Sequence, residues 1–283
     1  MEMSSREWLL AGTVLYGVSL LAALIGQRSA HRWGRWLPLV VLWVAFVVQF
    51  CGFYRRSEAT HLFPLGNAFE LLQMLAWGLV ALDGFLRLTF SLRLPVVLIA
   101  GLATAFGAIS FASPGWDHAA SAMYAGNPWI EVHVVLIILG YCFFAAQALN
   151  AVVFLLQDYS LARRRFTGIF QFLPPLRQVD RVGVQLLAAG VALLSLGMLI
   201  GLVNFFASGL VMTTAIKLAC ALVVWAGYVV ALVLRRRLQL RGTKFAGVSL
   251  ILFALALLTL WPANAARSLN MVEDGVVPRV EQP

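Results

Sequence analysis

The sequence predicts an all-α, polytopic membrane bundle with about eight transmembrane helices. The chain has 283 residues, of which 61% are hydrophobic and only 12% are charged, against about 25% charged residues in soluble globular proteins. Its mean hydropathy of +0.88 leaves too few polar side chains to cover a water-facing surface. Long apolar runs recur along the whole chain. These observations together exclude disorder, a fibre and a secreted disulfide scaffold.

Each predicted span is an apolar run that matches the bilayer in length. A hydrocarbon core of about 30 Å requires about 20 apolar helical residues. Such runs are too long for barrel strands, and only helices and closed barrels satisfy the backbone in lipid. We therefore expect one integral membrane domain over residues 1–283. The predicted spans are 7–26, 36–54, 67–90, 94–112, 129–157, 181–206, 210–234 and 245–263.

The boundaries of the spans follow from the residues that flank them. The first span is expected to be a helix of the bundle, because no basic segment precedes it and the polar residues 27–32 follow it in place of a cleavage site. The third begins at Asn67, a good N-cap residue. The remaining spans are separated by short loops, of which 113–128 and 161–179 are the longest. We expect no extramembrane domain.

Basic residues indicate the orientation of the bundle. Alternate loops, including those with Arg87 and Arg235, hold 15 bases, whereas the opposite side with both termini, Arg55 and Arg56 holds five. The richer side is expected to be cytoplasmic. We therefore predict a multi-pass protein of the cell inner (cytoplasmic) membrane with both termini outside, in the periplasm of a Gram-negative host. Because the net charge of +9 comes from these short runs, we expect no nucleic-acid partner.

Few residues in this chain suggest chemistry. Cys51, Cys142 and Cys220 lack metal-binding spacing and are expected to be small buried hydrophobes. Asp83 and Lys217 lie inside spans, where each serves either a proton path or an ion pair that holds helices in register. No Ser/His/Asp constellation, pair of catalytic carboxylates or zinc ligand set is present. We therefore do not expect an enzyme of the soluble hydrolytic kind.

The start of the third span and the histidines are the candidate site residues. Glu70 lies at the third helical position after Asn67, where it either completes a helix cap or positions a ligand at the outer surface. His133 lies one turn inside the fifth span and is either a haem axial ligand or a helix–helix hydrogen-bonding residue. His61 and His118, in outer loops, are candidates for a second ligand.

Two segments resemble the signatures of the cytochrome c assembly membrane proteins. Residues 61–77 are similar to the family's HFPLSNLYES…LSW motif, and residues 132–141 are similar to its MHVSMMxLSY motif. A weaker match covers 179–201, so that an assembly-like core extends over about 60–240. The matched residues include Pro64, Asn67, Glu70, Trp77 and His133.

The resemblance implies a helical protein that presents haem at the outer membrane surface for attachment to apocytochrome c. The family's tryptophan-rich WGxxWxWD loop is missing here, because only residues 203–209 stand between spans six and seven. In the family, two outer histidines that ligate the haem iron flank this loop. The second of them, expected at residues 262–267, is missing from this chain. His133 occupies the first histidine position, whereas Trp116-Asp117-His118 lies in another loop. This pattern is similar to the shorter HemX-type branch of the family.

Three functions remain open at this point. The first is a haem-handling assembly factor in c-type cytochrome biogenesis, with apocytochrome c and other biogenesis proteins as partners. The second is a HemX-type regulatory or scaffold protein of haem metabolism that does not itself bind haem. The third is a small-molecule transporter, which only Asp83 and Lys217 suggest. Under the first, His133 ligates the iron, and His118, His61 or a partner supplies the second ligand.

Overall fold

The structure is a computed structural model that describes residues 3–26, 33–60, 64, 67–89, 94–117, 128–163, 175–208, 212–237 and 239–273. Within these residues the chain forms eight α-helices and one turn of 3₁₀-helix at Pro114–Trp116, without strands. The helices are α1 (Ser5–Gly26), α2 (Trp33–Thr60), α3 (Ala68–Thr89), α4 (Val96–Ser110), α5 (Pro128–Ala162), α6 (Leu176–Ser208), α7 (Met212–Arg236) and α8 (Gly242–Glu273).

Seven helices in the described ranges are long and apolar enough to cross a membrane, which confirms an all-α polytopic membrane bundle. The fourth predicted span, 94–112, is shorter than expected. Helix α4 begins after Pro95, ends at Ser110 and has 15 residues. At 1.5 Å per residue it covers roughly 22 Å of a core that is about 30 Å thick. A helix of this length crosses the bilayer only where the bilayer is thinned locally; otherwise it ends within the membrane.

Several other helices extend beyond their apolar runs. Arg55 and Arg56, which the sequence placed in an outer loop, lie in the last turns of α2. Arg181, which was counted with a cytoplasmic loop, lies in α6 together with Asp180. Apolarity marks the part of a helix inside hydrocarbon, but the backbone continues as helix wherever its polar side chains find partners or water. The helices are therefore longer than the predicted spans.

The bundle consists of two four-helix halves. In the N-terminal half α1 packs on α2 and α4, and α3 packs on α2 and α4; in the C-terminal half α6 and α8 each pack on α5 and α7. The halves meet mainly where α3 contacts α5. There a Cβ on Gly78 would lie 2.7 Å from Cys142 Sγ, so only glycine allows this close approach. Cys142 is buried, and all three cysteines are free.

We name the two ends of the bundle after residues that lie there. At the His133 end, α3 and α5 begin and α2 and α6 end; at the Arg235 end, α5 and α7 end and α6 and α8 begin. Between the ends the exterior is apolar. On α1, for example, Leu10, Val14 and Val18 are exposed at a spacing of one helical turn. Such a stripe suits contact with lipid tails.

Candidate functional site

His133 lies in the second turn of α5, and its ring packs against α6. Its Nδ1 is 2.6 Å from the carbonyl oxygen of Gly197. Because a carbonyl oxygen can only accept a hydrogen bond, Nδ1 must carry the proton. A neutral imidazole has one ring proton, so Nε2 keeps its lone pair. The helix–helix hydrogen bond that the sequence left open as an alternative is thus present, and it leaves the metal-binding nitrogen available.

Two glycines on α6 let α5 approach closely, and one of them, Gly201, makes room for the His133 ring. A Cβ on Gly201 would lie 2.7 Å from Nδ1 and 3.2 Å from Nε2 of His133. A Cβ on Gly197 would lie 2.9 Å from Ile137 Cδ1, one turn further along α5. Sequence reasoning did not single out either residue. Their GxxxG spacing in an apolar helix was the available signal, since small residues at this spacing let helices approach closely.

The structure describes the position of His133 but not those of the two candidates for a second ligand. His61 and His118 lie outside the residues that the structure describes, as does Tyr124 of the outer loop. Within the described ranges, no group of three or more His, Cys, Asp or Glu side chains is arranged to hold a metal ion. A single nitrogen donor suits haem better than a bare ion, because a porphyrin itself supplies all four equatorial ligands of the iron.

The motif at the start of α3 builds a polar cap at the His133 end. Asn67 Oδ1 accepts a hydrogen bond of 2.8 Å from the Glu70 backbone N–H, which is the capping geometry that the sequence indicates. Pro64 is buried just before this cap. The Glu70 carboxylate contacts the guanidinium of Arg56, with Nε 2.5 Å from Oε1.

Arg56 is the centre of a four-residue charge cluster, which we call the Arg56 cluster: Arg6, Arg56, Glu70 and Asp117. Arg56 pairs with both Glu70 and Asp117, and Arg6 Nη1 lies 3.7 Å from Asp117 Oδ2. Both guanidiniums approach the Phe69 ring, with Arg6 5.8 Å and Arg56 5.4 Å from its centroid. The cluster has no net charge and joins α1, α2 and α3 to the chain that follows the 3₁₀ turn.

The remaining motif residue, Trp77, packs α3 against α2. Its ring stacks on Phe46 with centroids 4.7 Å apart, and its Nε1–H donates to the Phe46 carbonyl oxygen at 3.2 Å. The N–H group and the ring face of the indole therefore both make contacts within the bundle. The described residues of the motif, 64 and 67–77, therefore pack within the N-terminal half, where Trp77 joins α3 to α2.

Asp83 forms an ion pair, but the pair lies within α3 and not between helices, as the interpretation had expected. Its Oδ2 lies 2.5 Å from Arg87 Nε, one turn further along α3. Arg87 also donates to the Leu94 carbonyl oxygen at 2.7 Å, which ties the end of α3 to the start of α4. The side chain of Lys217 lies outside the described part of the chain.

A buried hydrogen-bond chain in the N-terminal half was missed by the sequence reasoning. Gln73 is at its centre: its Oε1 accepts from Gln49 at 2.5 Å, and its Nε2 donates to Ser110 at 2.8 Å and to Thr13 at 3.3 Å. Tyr16 donates to Gln49 Oε1 at 2.7 Å. These amides carry no charge, but any polar side chain inside a span indicates a buried interaction between helices.

We expect Tyr16→Phe to lower the free energy of unfolding by about 1 kcal/mol, because it leaves Gln49 Oε1 buried without its donor. The matched control is Tyr228→Phe. Tyr228 is equally buried, but its hydroxyl has no hydrogen-bond partner in the described residues. Unfolding in detergent by added SDS, followed by tryptophan fluorescence, measures both. A shift of the same size in the two variants would contradict the role assigned to Tyr16.

The connection between α6 and α7 bears on haem binding. Helix α6 ends at Ser208 and α7 begins at Met212, so only residues 209–211 join them. Three residues cannot form the tryptophan-rich loop that covers haem in the resemblance described above. This connection therefore supplies no cover for a macrocycle.

Comparison with known proteins places these features in a family. Residues 65–267 match the family described as cytochrome C assembly protein. Protein HemX of Brevibacillus brevis is 24% identical over 202 residues, 71% of this chain and 74% of its own. Protein HemX of Bacillus subtilis strain 168 is 25% identical over 202 residues, 69% of this chain and 71% of its own.

A third relative is an uncharacterized 28.8 kDa protein of Azospirillum brasilense, 28% identical over 244 residues, 82% of this chain and 83% of its own. The family match includes Asn67, Glu70 and Trp77, and also His133 with its neighbour Gly201. It therefore spans both the cap of α3 and the α5–α6 contact. This chain is a multi-pass membrane protein of the cytochrome c assembly family, of the type that includes HemX.

Proposed function

We propose that this protein handles haem in the biogenesis of c-type cytochromes and that His133 is one axial ligand of the iron. The hydrogen bond from His133 Nδ1 to the Gly197 carbonyl oxygen carries the proposal. It orients the ring, fixes the tautomer and leaves Nε2 as a lone-pair donor, which is the arrangement common to metal-bound histidines. When bound, haem supplies an iron that accepts this lone pair.

The other residues act by holding the site in place. Gly201 lets the His133 ring lie against α6. The Arg56 cluster fixes Asp117, which directly precedes His118. We propose that His118, His61 or a partner protein supplies the second ligand, and that Trp116 and Trp129 belong to the cover of the macrocycle. The protein would act as an assembly factor for apocytochrome c with other biogenesis proteins, and not as an enzyme by itself.

A HemX-type scaffold that binds no haem is the second candidate. The short connection at 209–211 supports it, and so does the lack of a second outer histidine at residues 262–267 of the sequence, which belong to α8. In that case the His133–Gly197 hydrogen bond serves only to join α5 and α6. A regulatory or scaffold protein would present its surface to another protein of haem metabolism.

We further propose a place in the cytoplasmic membrane with both termini and the His133 end on the outer side. The excess of loop bases at the opposite end supports this orientation. Arg87 and Arg235 remain at that end although each is paired with an aspartate. The positive-inside rule counts Lys and Arg residues and not net charge, so these ion pairs do not weaken the proposed orientation.

The test of the proposed function is the visible spectrum of the purified protein in detergent after reconstitution with haem. We expect a Soret band, and we expect His133→Ala to weaken haem binding more than about tenfold, because even loss of a supporting contact weakens a metal site about 10- to 100-fold. His31→Ala is the control, since His31 is expected on the cytoplasmic side. His118→Ala and His61→Ala locate the second ligand.

Three outcomes separate the two candidates. A Soret band that His133→Ala removes and His31→Ala leaves intact supports haem ligation by His133. No Soret band in the folded parent protein selects the scaffold. A band that is unchanged by His133→Ala, together with an unchanged yield of cytochrome c, contradicts the proposed ligand.

A further inference from the structure

Two buried amides at the Arg235 end use only half of their hydrogen-bonding capacity. Gln147 Nε2 donates to Ser249 Oγ at 2.6 Å, and Asn150 Nδ2 donates to the Val179 carbonyl oxygen at 2.8 Å. Gln147 is 1% exposed and Asn150 is 3% exposed. The amide oxygens of both, Gln147 Oε1 and Asn150 Oδ1, are buried without a hydrogen-bond partner among the described residues.

A third acceptor belongs to Asp180, whose side chain is 31% exposed. One of its carboxylate oxygens pairs with Arg235, while Asp180 Oδ1 is buried and has no partner in the part of the chain that is described. Arg235 also donates through Nη1 to the Leu240 carbonyl oxygen at 3.0 Å. The ion pair balances its own charge, so the surroundings are polar but neutral.

The three side chains belong to one cluster around Phe245, which we call the Phe245 cluster. The Arg235 guanidinium lies 4.8 Å from the centroid of the Phe245 ring, and Ser249 donates to the Phe245 carbonyl oxygen at 2.8 Å. A Cβ on Gly183 would lie 2.8 Å from Asn150 Nδ2 and 3.4 Å from Phe245 Cε1. All four helices of the C-terminal half therefore contribute to this cluster.

The N-terminal half shows that buried amides in this protein can be satisfied internally. Gln49 and Gln73 use both their oxygens and their NH₂ groups within the protein. A buried acceptor left without a donor costs about 1–3 kcal/mol. Three such acceptors within one cluster therefore indicate that a donor from outside the chain binds there.

We propose that the Phe245 cluster is an internal binding site for ordered water. The three oxygens can only accept, so the ligand must donate. A cation would add charge to a neutral buried site, whereas water donates two hydrogens at no such electrostatic cost. Since one water can satisfy at most two of the three acceptors, the site holds at least two molecules.

This site is separate from the proposed haem ligand. Asn150 follows His133 by 17 residues on α5, which corresponds to roughly 25 Å along the helix. The hydration of the Phe245 cluster therefore does not depend on whether His133 binds haem. Bound water at this cluster would give the C-terminal half a hydrated polar interior at its Arg235 end, beneath an apolar exterior.

Hydroxyl-radical footprinting with a synchrotron pulse and mass spectrometry tests the proposal on the full-length protein in detergent. Radicals formed from bound water modify the side chains beside it. Phe245 is the reporter, and Phe106 in the N-terminal half is the control, because the two are 4% and 3% exposed. We expect Phe245 to be modified several-fold faster than Phe106. The double variant Gln147→Leu/Asn150→Leu should reduce the modification of Phe245 to the level of Phe106.

Equal protection of Phe245 and Phe106 in the parent protein would show that the cluster is dry and would overturn the proposal. The proposal would also be overturned if the folded double variant kept the fast modification of Phe245, because water would then be held by groups other than the two amides. Should the double variant not fold, Phe106 becomes modified as well, and the comparison within the parent protein decides.

Discussion

Replacement of Arg56 by methionine is expected to lower the free energy of unfolding by about 3–5 kcal/mol, because removal of one partner leaves buried charge unpaired. Arg56 is 13% exposed and pairs with two carboxylates, Glu70 and Asp117, that are 3% and 11% exposed. Methionine matches much of the length of the side chain but neutralises neither carboxylate. SDS-induced unfolding of the detergent-solubilised protein measures the change.

The neighbouring residue offers a matched control. Arg55 is on the same helix, but its side chain is 49% exposed and its pair with Glu58, at 3.9 Å, is on the surface. Such a pair contributes at most about 1 kcal/mol, so Arg55→Met should change stability little. Equal losses in the two variants would show that the Arg56 cluster is not a buried ion-pair network.

A second comparison separates charge from packing in the Arg56 cluster. If the loss comes from unpaired carboxylates, adding Glu70→Gln and Asp117→Asn to Arg56→Met should recover part of the stability, because amides need no counter-charge. If the loss comes from missing contacts with Phe69, which the Arg56 guanidinium approaches at 5.4 Å, the added substitutions should recover nothing.

The second large effect is expected from Gly201→Ala, which keeps His133 but displaces its ring. The new methyl group would lie well inside the van der Waals distance of the ring atoms, so the ring must leave α6 and break its hydrogen bond to Gly197. We expect haem binding to weaken about 10- to 100-fold, as for other contacts that orient a metal ligand. Overpacking should also reduce stability by about 1–3 kcal/mol.

Gly247→Ala on α8 is the control for this substitution. A Cβ on Gly247 would meet nothing within 4 Å, so this variant should bind haem as the parent does. It should also be more stable by up to about 1 kcal/mol, because alanine loses less backbone entropy than glycine in a helix. The Soret titration and the unfolding measurement apply to both variants. Unchanged haem binding by Gly201→Ala would mean that the ring orientation at α6 is not required.

Interactions between residues near in sequence were within reach of sequence reasoning. The cap formed by Asn67 and Glu70 joins residues three positions apart, and the Asp83–Arg87 pair joins residues four positions apart. Both distances are set by the helix itself once the helix is known. The spans were predictable for a related reason, because hydrocarbon tolerates only long apolar helices.

Interactions between residues far apart in the sequence could not be predicted from the sequence. Arg56 meets Asp117 across 61 positions, and His133 meets Gly197 across 64. The sequence indicated His133, Glu70 and Asn67 as candidates, but it named neither Arg56 nor Gly201 as a partner. It also missed Gln49 and Gln73, whose partners lie on other helices.

The sequence by itself thus determined that this chain is a helical membrane bundle, where most helices lie, and which family it resembles. These properties depend on composition, on runs of about 20 residues and on short motifs, all of which are local. Only the tertiary structure decided that α4 has 15 residues, that Glu70 pairs with Arg56 and that His133 donates through Nδ1. Those outcomes depend on the rotation and register of packed helices, which apolar composition leaves open because every face of such a helix is acceptable to lipid.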